Sequence, residues 1–365
     1  MTIRSIDLYK FPIPIEPFTI ATGRLTTALN MLVCIHTDDG ITGFGECSAF
    51  PMIVGETQAT CFELAKDFAK IWKGKNPLEI ETRMDELHNY CYANFTAKSA
   101  FDMALYDIAA KDAGLPLYQF LGGKKRKIVT DVTIGIDTPE NMAAKALSFK
   151  NKGFDTIKIK LGKKIEDDMA RMKAVRAAIG SETRLRIDAN QGWDYETTLI
   201  ALNALAPYHI EFCEQPMRKW MDVHLPKIVE QSPIPIMADE SVFTHHDAET
   251  IIANKAATFI NIKFAKSGGI LEATKINQVA ERNGVKCMLG SMMESRLALS
   301  ANTHFAIANP NIQFLDLDTA LLGQQEDPVV DGMHYEGQEI VLPDLPGIGA
   351  EVGQSYLKRQ EKYTV

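Results

Sequence analysis

Through the middle of the chain, short apolar runs end in a charged residue at a nearly constant interval. They read Thr156-Ile-Lys158-Ile-Lys160, Leu185-Arg-Ile-Asp188, Ile210-Glu-Phe-Cys-Glu214, Ile236-Met-Ala-Asp239 and Phe259-Ile-Asn-Ile-Lys263. The charged ends are 28, 26, 25 and 24 residues apart. One buried strand, a loop, an amphipathic helix and a second loop fill such a step, so the pattern predicts parallel strands wound with helices. Val129–Gly135, Val285–Gly290 and Gln313–Asp318 extend the rhythm to a first, seventh and eighth strand, and Thr138-Pro139 marks a capped helix start.

The first 125 residues have another rhythm. Residues 1–10 alternate like a strand, and Pro12, Pro14 and Pro17 interrupt the stretch after them. Residues 29–37 and 41–45 flank Asp38-Asp39-Gly40, a hairpin signal. Helical spacing then predicts three helices, near 57–73, 77–92 and 97–113; Thr96 is the expected cap of the third and Gly114 with Pro116 its stop. The expected fold is α/β: a (β/α)8 barrel over 126–320 with an α+β capping domain over 1–125. Residues 321–365, rich in Gly and Pro with short β-prone pieces, are expected to return to that cap.

Composition narrows the partners. A net charge of −8, from 39 basic and 47 acidic residues, argues against nucleic acid. No apolar run reaches the length of a membrane span, and the N-terminus lacks the apolar core of a secretory signal. Six cysteines without C-x-x-C spacing suggest reduced, buried thiols. A cytoplasmic enzyme acting on a small molecule, assembled as a homo-oligomer, is expected.

A parallel ring places every strand C-terminus at one mouth, where barrel active sites gather. Asp188, Glu214 and Asp239 would stand side by side there. A lone strand-end acid is ordinarily a cap or an ion-pair partner, but three in register suit one Mg²⁺ per subunit. No Cys/His cluster at ligand spacing points to zinc. Lys160 and Lys263 end strands two and six, on opposite sides of the acids. A lysine acts as a base only with its pKa lowered, which Lys158, two residues from Lys160, would favour. The competing reading makes each lysine an ion-pair partner of a metal-binding acid. Two opposed bases beside a divalent ion fit removal of a proton next to a carboxylate and its return to the other face.

These residues resemble the enolase superfamily: Lys-x-Lys on strand two, Asp/Glu/Asp on strands three to five and Lys on strand six look like its muconate lactonizing subgroup. Asp316-Leu317-Asp318 on strand eight is similar to the Asp-x-Asp by which dipeptide epimerases hold a free α-ammonium. The resemblance implies epimerisation at the C-terminal residue of a dipeptide, L-Ala-D/L-Glu being the prototype. It further implies substrate contacts at Thr133, Lys158, Ser291 and Met293. An arginine of the capping loop pairs with the glutamate side chain in the Ala-Glu enzymes; Arg24 lies in the matching loop, displaced by one, with Gly23 in the expected place. The segments Phe18–Leu25 and Phe50–Val54 are rather apolar, so a hydrophobic second residue is as compatible as glutamate.

Rivals in the subgroup are N-succinylamino-acid racemase, o-succinylbenzoate synthase and muconate cycloisomerase. They bind no α-ammonium at strand eight, against which Asp316 and Asp318 speak. Acid-sugar dehydratases favour a histidine on strand seven, and 285–294 contains none. A non-catalytic binding barrel has no use for lysines opposed across a metal.

Overall fold

The computed structural model describes residues 1–365. Eight parallel strands neighbour one another in chain order: Val132–Ile134, Thr156–Lys160, Arg184–Asp188, Ile210–Glu214, Ile236–Ala238, Phe259–Ile262, Lys286–Gly290 and Ile312–Asp316. The Asp131 N–H donates to Leu315 O at 3.2 Å and the Leu317 N–H to Thr130 Oγ1 at 2.9 Å, which brings the last strand round to the first. The ring is a nearly closed (β/α)8 barrel. Its register sets Lys160 beside Asp188 and Asp188 beside Glu214.

The first barrel strand is shorter than its pattern. Ile128–Val129 pairs instead with Glu339–Val341 in a separate sheet, and only Val132–Ile134 joins the ring. Thr130 and Asp131, between the two pieces, are committed to bonds across the ring: Thr130 with Leu317, Asp131 with Arg186.

Helices start where the sequence supplies caps. Thr57, Thr138 and Asp194 each accept a hydrogen bond from the backbone N–H three residues on, and Pro139 occupies a first turn where no N–H is needed. Thr96 is not a cap. The helix Phe95–Asp112 begins after Asn94, and Thr96 Oγ1 donates to Ala265 O at 2.9 Å, tying cap to barrel. That helix is buried on nearly every face because it lies between the cap sheet and the barrel.

The cap sheet is antiparallel: Ile3–Ile20, Gly23–Thr37 and Thr42–Ser48, with Lys362–Thr364 on its edge. The expected hairpin forms around Asp38–Gly40. The prolines do not end the first strand, which runs through Pro12, Pro14 and Pro17 to Ile20. Lys362–Thr364 pairs only with Asp7–Tyr9, and beyond it that edge meets only an isolated bridge between Ile15 and Gln324, so no continuous ladder requires the N–H groups the prolines lack; a register shift falls between Pro14 and Phe18. One apolar core runs from the barrel strands up to Ile20 and Phe50 of the cap; a second fills the space between the cap sheet and its helices. All six cysteines are unpaired and five are buried. No helix is long and apolar enough to cross a membrane.

Candidate active site

A cleft of about 440 Å³ opens between the strand C-termini and the cap. Phe18, Ile20, Phe50 and Ile53 descend into it from the cap, and Lys160 and Lys263 rise from the ring. Thr133, Ser291, Met293, Asp316 and Asp318 also line it. Asp188, Glu214, Asp239 and Lys158 lie below these groups, with no exposed surface. Gly290 makes room for one lysine, since a Cβ there would stand 2.9 Å from Lys263 Cε.

Arg24 is elsewhere. In the antiparallel hairpin Ile20 faces Gly23 and Thr19 faces Arg24. Directly opposed residues share a sheet face and successive ones alternate. Ile20 and Gly23 therefore take the cleft face, while Arg24 lines a separate cavity with Thr19, Glu16 and Asp137. Met52 covers Gly23 so closely that a Cβ there would come within 1.9 Å of its Sδ.

Four ammonium groups interleave with the acids. Lys160 Nζ lies 2.5 Å from Asp188 Oδ2, and Lys263 Nζ 2.9 Å from Asp239 Oδ2. Lys158 Nζ lies 2.6 Å from Glu214 Oε2 and 2.7 Å from Asp316 Oδ2; Lys266 Nζ is 2.7 Å from Asp239 Oδ1. Burial disfavours the charge on Lys263, but Asp239 and Glu214 outweigh it and raise its pKa. Lys158 pushes the other way on Lys263 and is outweighed. The same balance, with Asp316, Glu214 and Asp188 as partners, keeps Lys158 charged. Burial and the neighbouring Asp188 push Glu214 up to about 7, and burial with Asp239 pushes Glu240 up to about 8. Crowded acids of this kind call for more positive charge than the lysines supply.

The donor set fits a hard divalent cation. Glu214 Oε2 and both carboxylate oxygens of Asp239 are buried without a hydrogen bond of good geometry, although lysines stand at ion-pair distance. Asn190 Oδ1 is likewise unpartnered. Asp188, Glu214 and Asp239 could hold Mg²⁺ through oxygen alone. A tighter group of acids lies beside them: Asp131, Asp316 and Asp318 bring one carboxylate oxygen each within 4.8 Å of one another. Arg186 and Lys158 already pair with Asp131 and Asp316. Asp318 accepts the Thr133 N–H at 2.5 Å and has no basic side chain in contact. Burial and Asp316 push it up to about 7.

Several polar residues of the barrel carry no sequence signal strong enough to have singled them out. Lys266, one helical turn after Lys263, donates to the main-chain carbonyls of Asp239, Val242 and Asn261 as well as pairing with Asp239. Asn261 Nδ2 donates to Glu214 Oε1 at 2.7 Å. Arg186 pairs with Asp131 and Glu211 and packs 5.2 Å from the ring centres of both Phe212 and Phe314. The usable signal was alternation: Asp131 precedes Thr133, and Asn261 precedes Lys263, by two residues on the same inward face.

Comparison with known proteins agrees over the whole length. Residues 4–122 match the mandelate racemase / muconate lactonizing enzyme N-terminal domain, and residues 141–356 match the enolase C-terminal domain-like family. The chain is 43% identical to a D-Ala-D/L-Ala epimerase of Cytophaga hutchinsonii, with all of both chains covered. It is 42% identical to a hydrophobic dipeptide epimerase of Enterococcus faecalis, over 92% of this chain and 95% of the other. The crystal structure of a dipeptide epimerase from Cytophaga hutchinsonii, complexed with Mg and D-Ala-L-Val, superposes with a TM-score of 0.98 at 43% identity over 100% of both chains.

Proposed function

The chain belongs to the mandelate racemase / muconate lactonizing enzyme family of the enolase superfamily, and on that premise we propose that it epimerises dipeptides whose second residue is apolar. The observation that carries this reading is one cleft holding two lysines, an acid pair and a cap wall of Phe18, Ile20, Phe50 and Ile53 without a cation. Arg24 is turned into a different cavity, and Met52 occupies the space above Gly23. A glutamate side chain would meet apolar surface there, uncompensated. The relatives named for D-Ala-D/L-Ala and for hydrophobic dipeptides point the same way.

Asp318 and Asp316 take the dipeptide ammonium, a charge-assisted contact inside a buried site. Thr133 holds both acids in place, through its N–H to Asp318 and its Oγ1 to Asp316 at 3.2 Å. Asp188, Glu214 and Asp239 would hold Mg²⁺, which when bound would supply positive charge beside the substrate carboxylate and so favour loss of the α-proton. One of Lys160 and Lys263 accepts that proton, leaving an enediolate, and the other returns a proton to the opposite face. Ser291 and Met293 bound the substrate main chain. Lys158, with no exposed surface, acts as a fixed counter-charge to the acids rather than as a substrate contact. Six unpaired cysteines suit a reducing, cytoplasmic setting.

The test is α-proton exchange in D₂O, monitored by mass spectrometry across a dipeptide library. Dipeptides such as Ala-Ala and Ala-Leu should exchange faster than Ala-Glu. A preference for Ala-Glu would overturn the apolar assignment, and exchange in no dipeptide would overturn the reading itself.

A further inference from the structure

The apolar end of the cleft has two walls. One continues from the cap strand Thr42–Ser48 and carries Phe50 and Ile53; the other continues from the seventh barrel strand and carries Met292 and Met293. A single buried cluster ties them together. Asn30 Nδ2 donates to Met293 O at 2.8 Å and to Glu46 Oε1 at 2.7 Å. Glu46 also accepts from the Ser295 N–H at 2.9 Å, from Ser295 Oγ at 2.5 Å and from the Ala298 N–H at 3.3 Å. Its carboxylate thus sits on the first turn of the helix Arg296–Ala308, where N–H groups have no partner within the helix. From the other side, Gln324 Nε2 and Thr319 Oγ1 donate to Glu294 O at 2.7 and 3.1 Å.

Asn30 and Glu46 are at most 2% exposed, and neither lines the cleft. Packing alone does not call for them. Apolar residues of similar volume fill a buried site at no greater cost than a charged network does. What the network adds is a fixed separation between two loops that no strand pairing joins.

We propose that Asn30 and Glu46 are positioning residues that set the width of the pocket for the dipeptide's second side chain. By fastening Met293 to the cap, they fix the gap between the Phe50–Ile53 wall and the Met292–Met293 wall. The inference rests on the dipeptide reading above. Lys160 and Lys263 are held by their own ion pairs, so loosening the tie leaves the proton transfer in place and falls on side-chain selection.

Two variants test this, with kcat and KM measured on Ala-Ala and on a series of dipeptides with larger apolar second residues. Asn30→Leu keeps volume and removes both donated bonds. Gln324→Ala, at a partly buried position, releases the far side of the same loop. The spread in kcat/KM between the best and poorest apolar second residue should shrink about tenfold in Asn30→Leu, chiefly through KM. Gln324→Ala should shrink it less, and kcat on the best substrate should stay within about threefold in both. A merely structural role would lower the melting temperature and leave the spread intact. An unchanged spread in the folded variants overturns the proposal, and if Asn30→Leu does not fold, Gln324→Ala decides alone. A wild-type enzyme that turns over no dipeptide overturns the functional reading, and this inference with it.

Discussion

Lys158 places its ammonium 2.7 Å from the Asp316 carboxylate and 2.6 Å from that of Glu214, joining two acid clusters of the barrel into one network. The acids that end strands three to five and the strand-eight acids therefore share a cation. Asp316 has its counter-charge in the resting protein; despite its burial, Lys158, Lys160 and Lys263 hold it well below the usual carboxylate range. Asp318, raised to about 7, has none in contact.

On the proposed dipeptide reading, a substrate ammonium would supply the charge that Asp318 lacks. Breaking a buried ion pair by removing one partner costs roughly 3–5 kcal/mol. Asp318→Asn should lower kcat/KM on the free dipeptide by about two to four orders of magnitude, and should narrow its advantage over the N-acetylated form. An N-acetyl dipeptide brings no cation and should be a poor substrate of the wild type; an N-succinyl amino acid, anionic at that end, should be poorer. Faster turnover of N-succinyl amino acids than of every free dipeptide would favour the racemase reading.

Chelation should abolish turnover, and added Mg²⁺ should restore it. The crowding that pushes Glu214 up to about 7 marks a site short of positive charge. Asp239→Asn should weaken metal binding by about a hundredfold or more, measured by titration calorimetry alongside activity. Full activity in a verified metal-free sample would remove the metal from the mechanism.

His304 predicts an acid limit to stability. Its ring stacks on Tyr118 at 5.7 Å; Nδ1 accepts the Tyr118 N–H and Nε2 donates to Ile348 O, both at 3.1 Å. Only the neutral ring satisfies both, and burial holds its pKa down to about 4. The unfolded chain binds this proton more readily, near the ordinary histidine value of about 6.5. The stability it contributes is full above that value and is lost as pH falls towards 4, by about 3 kcal/mol. His304→Gln should flatten urea-unfolding stability between pH 7 and 4.5, at a cost of about 1–2 kcal/mol at neutral pH. Parallel curves for the two proteins would show that another group sets the limit.

The barrel was legible because a strand buried on both faces reads as a continuous apolar run, and because its chemistry sits where each run ends. Lys160, Asp188 and Glu214 fall at strand ends, and Asp239 and Lys263 one residue beyond. What sequence could not supply depends on distant partners. Asn30 and Met293 are 263 residues apart, and nothing local marks Asn30 as more than a polar break in a strand. Arg24 turned on register, since a one-residue offset exchanges the faces of a hairpin. Pro12, Pro14 and Pro17 were compatible with a strand only because the neighbouring edge strand ends before it reaches them.

A 1,1-proton transfer between opposite faces needs one lysine neutral, to accept, and the other protonated, to donate. Asp239 and Glu214 outweigh the burial of Lys263 and raise its pKa. Lys160 lies against Asp188 from a different strand, and both lysines line the same cleft. Removing either should cut epimerisation by about 10²–10⁴-fold, the usual worth of a positioned acid or base. Each single variant should nevertheless keep its remaining lysine poised against one face of the α-carbon. Lys263→Ala and Lys160→Ala should therefore each exchange the α-proton of a different stereoisomer with D₂O, without inverting it. Mass spectrometry on the separated isomers reads this directly, and Lys→Arg at either position, which keeps the charge but cannot accept a proton near neutrality, should behave like Lys→Ala. Wild-type epimerisation of both isomers by Lys263→Ala would end the two-base mechanism.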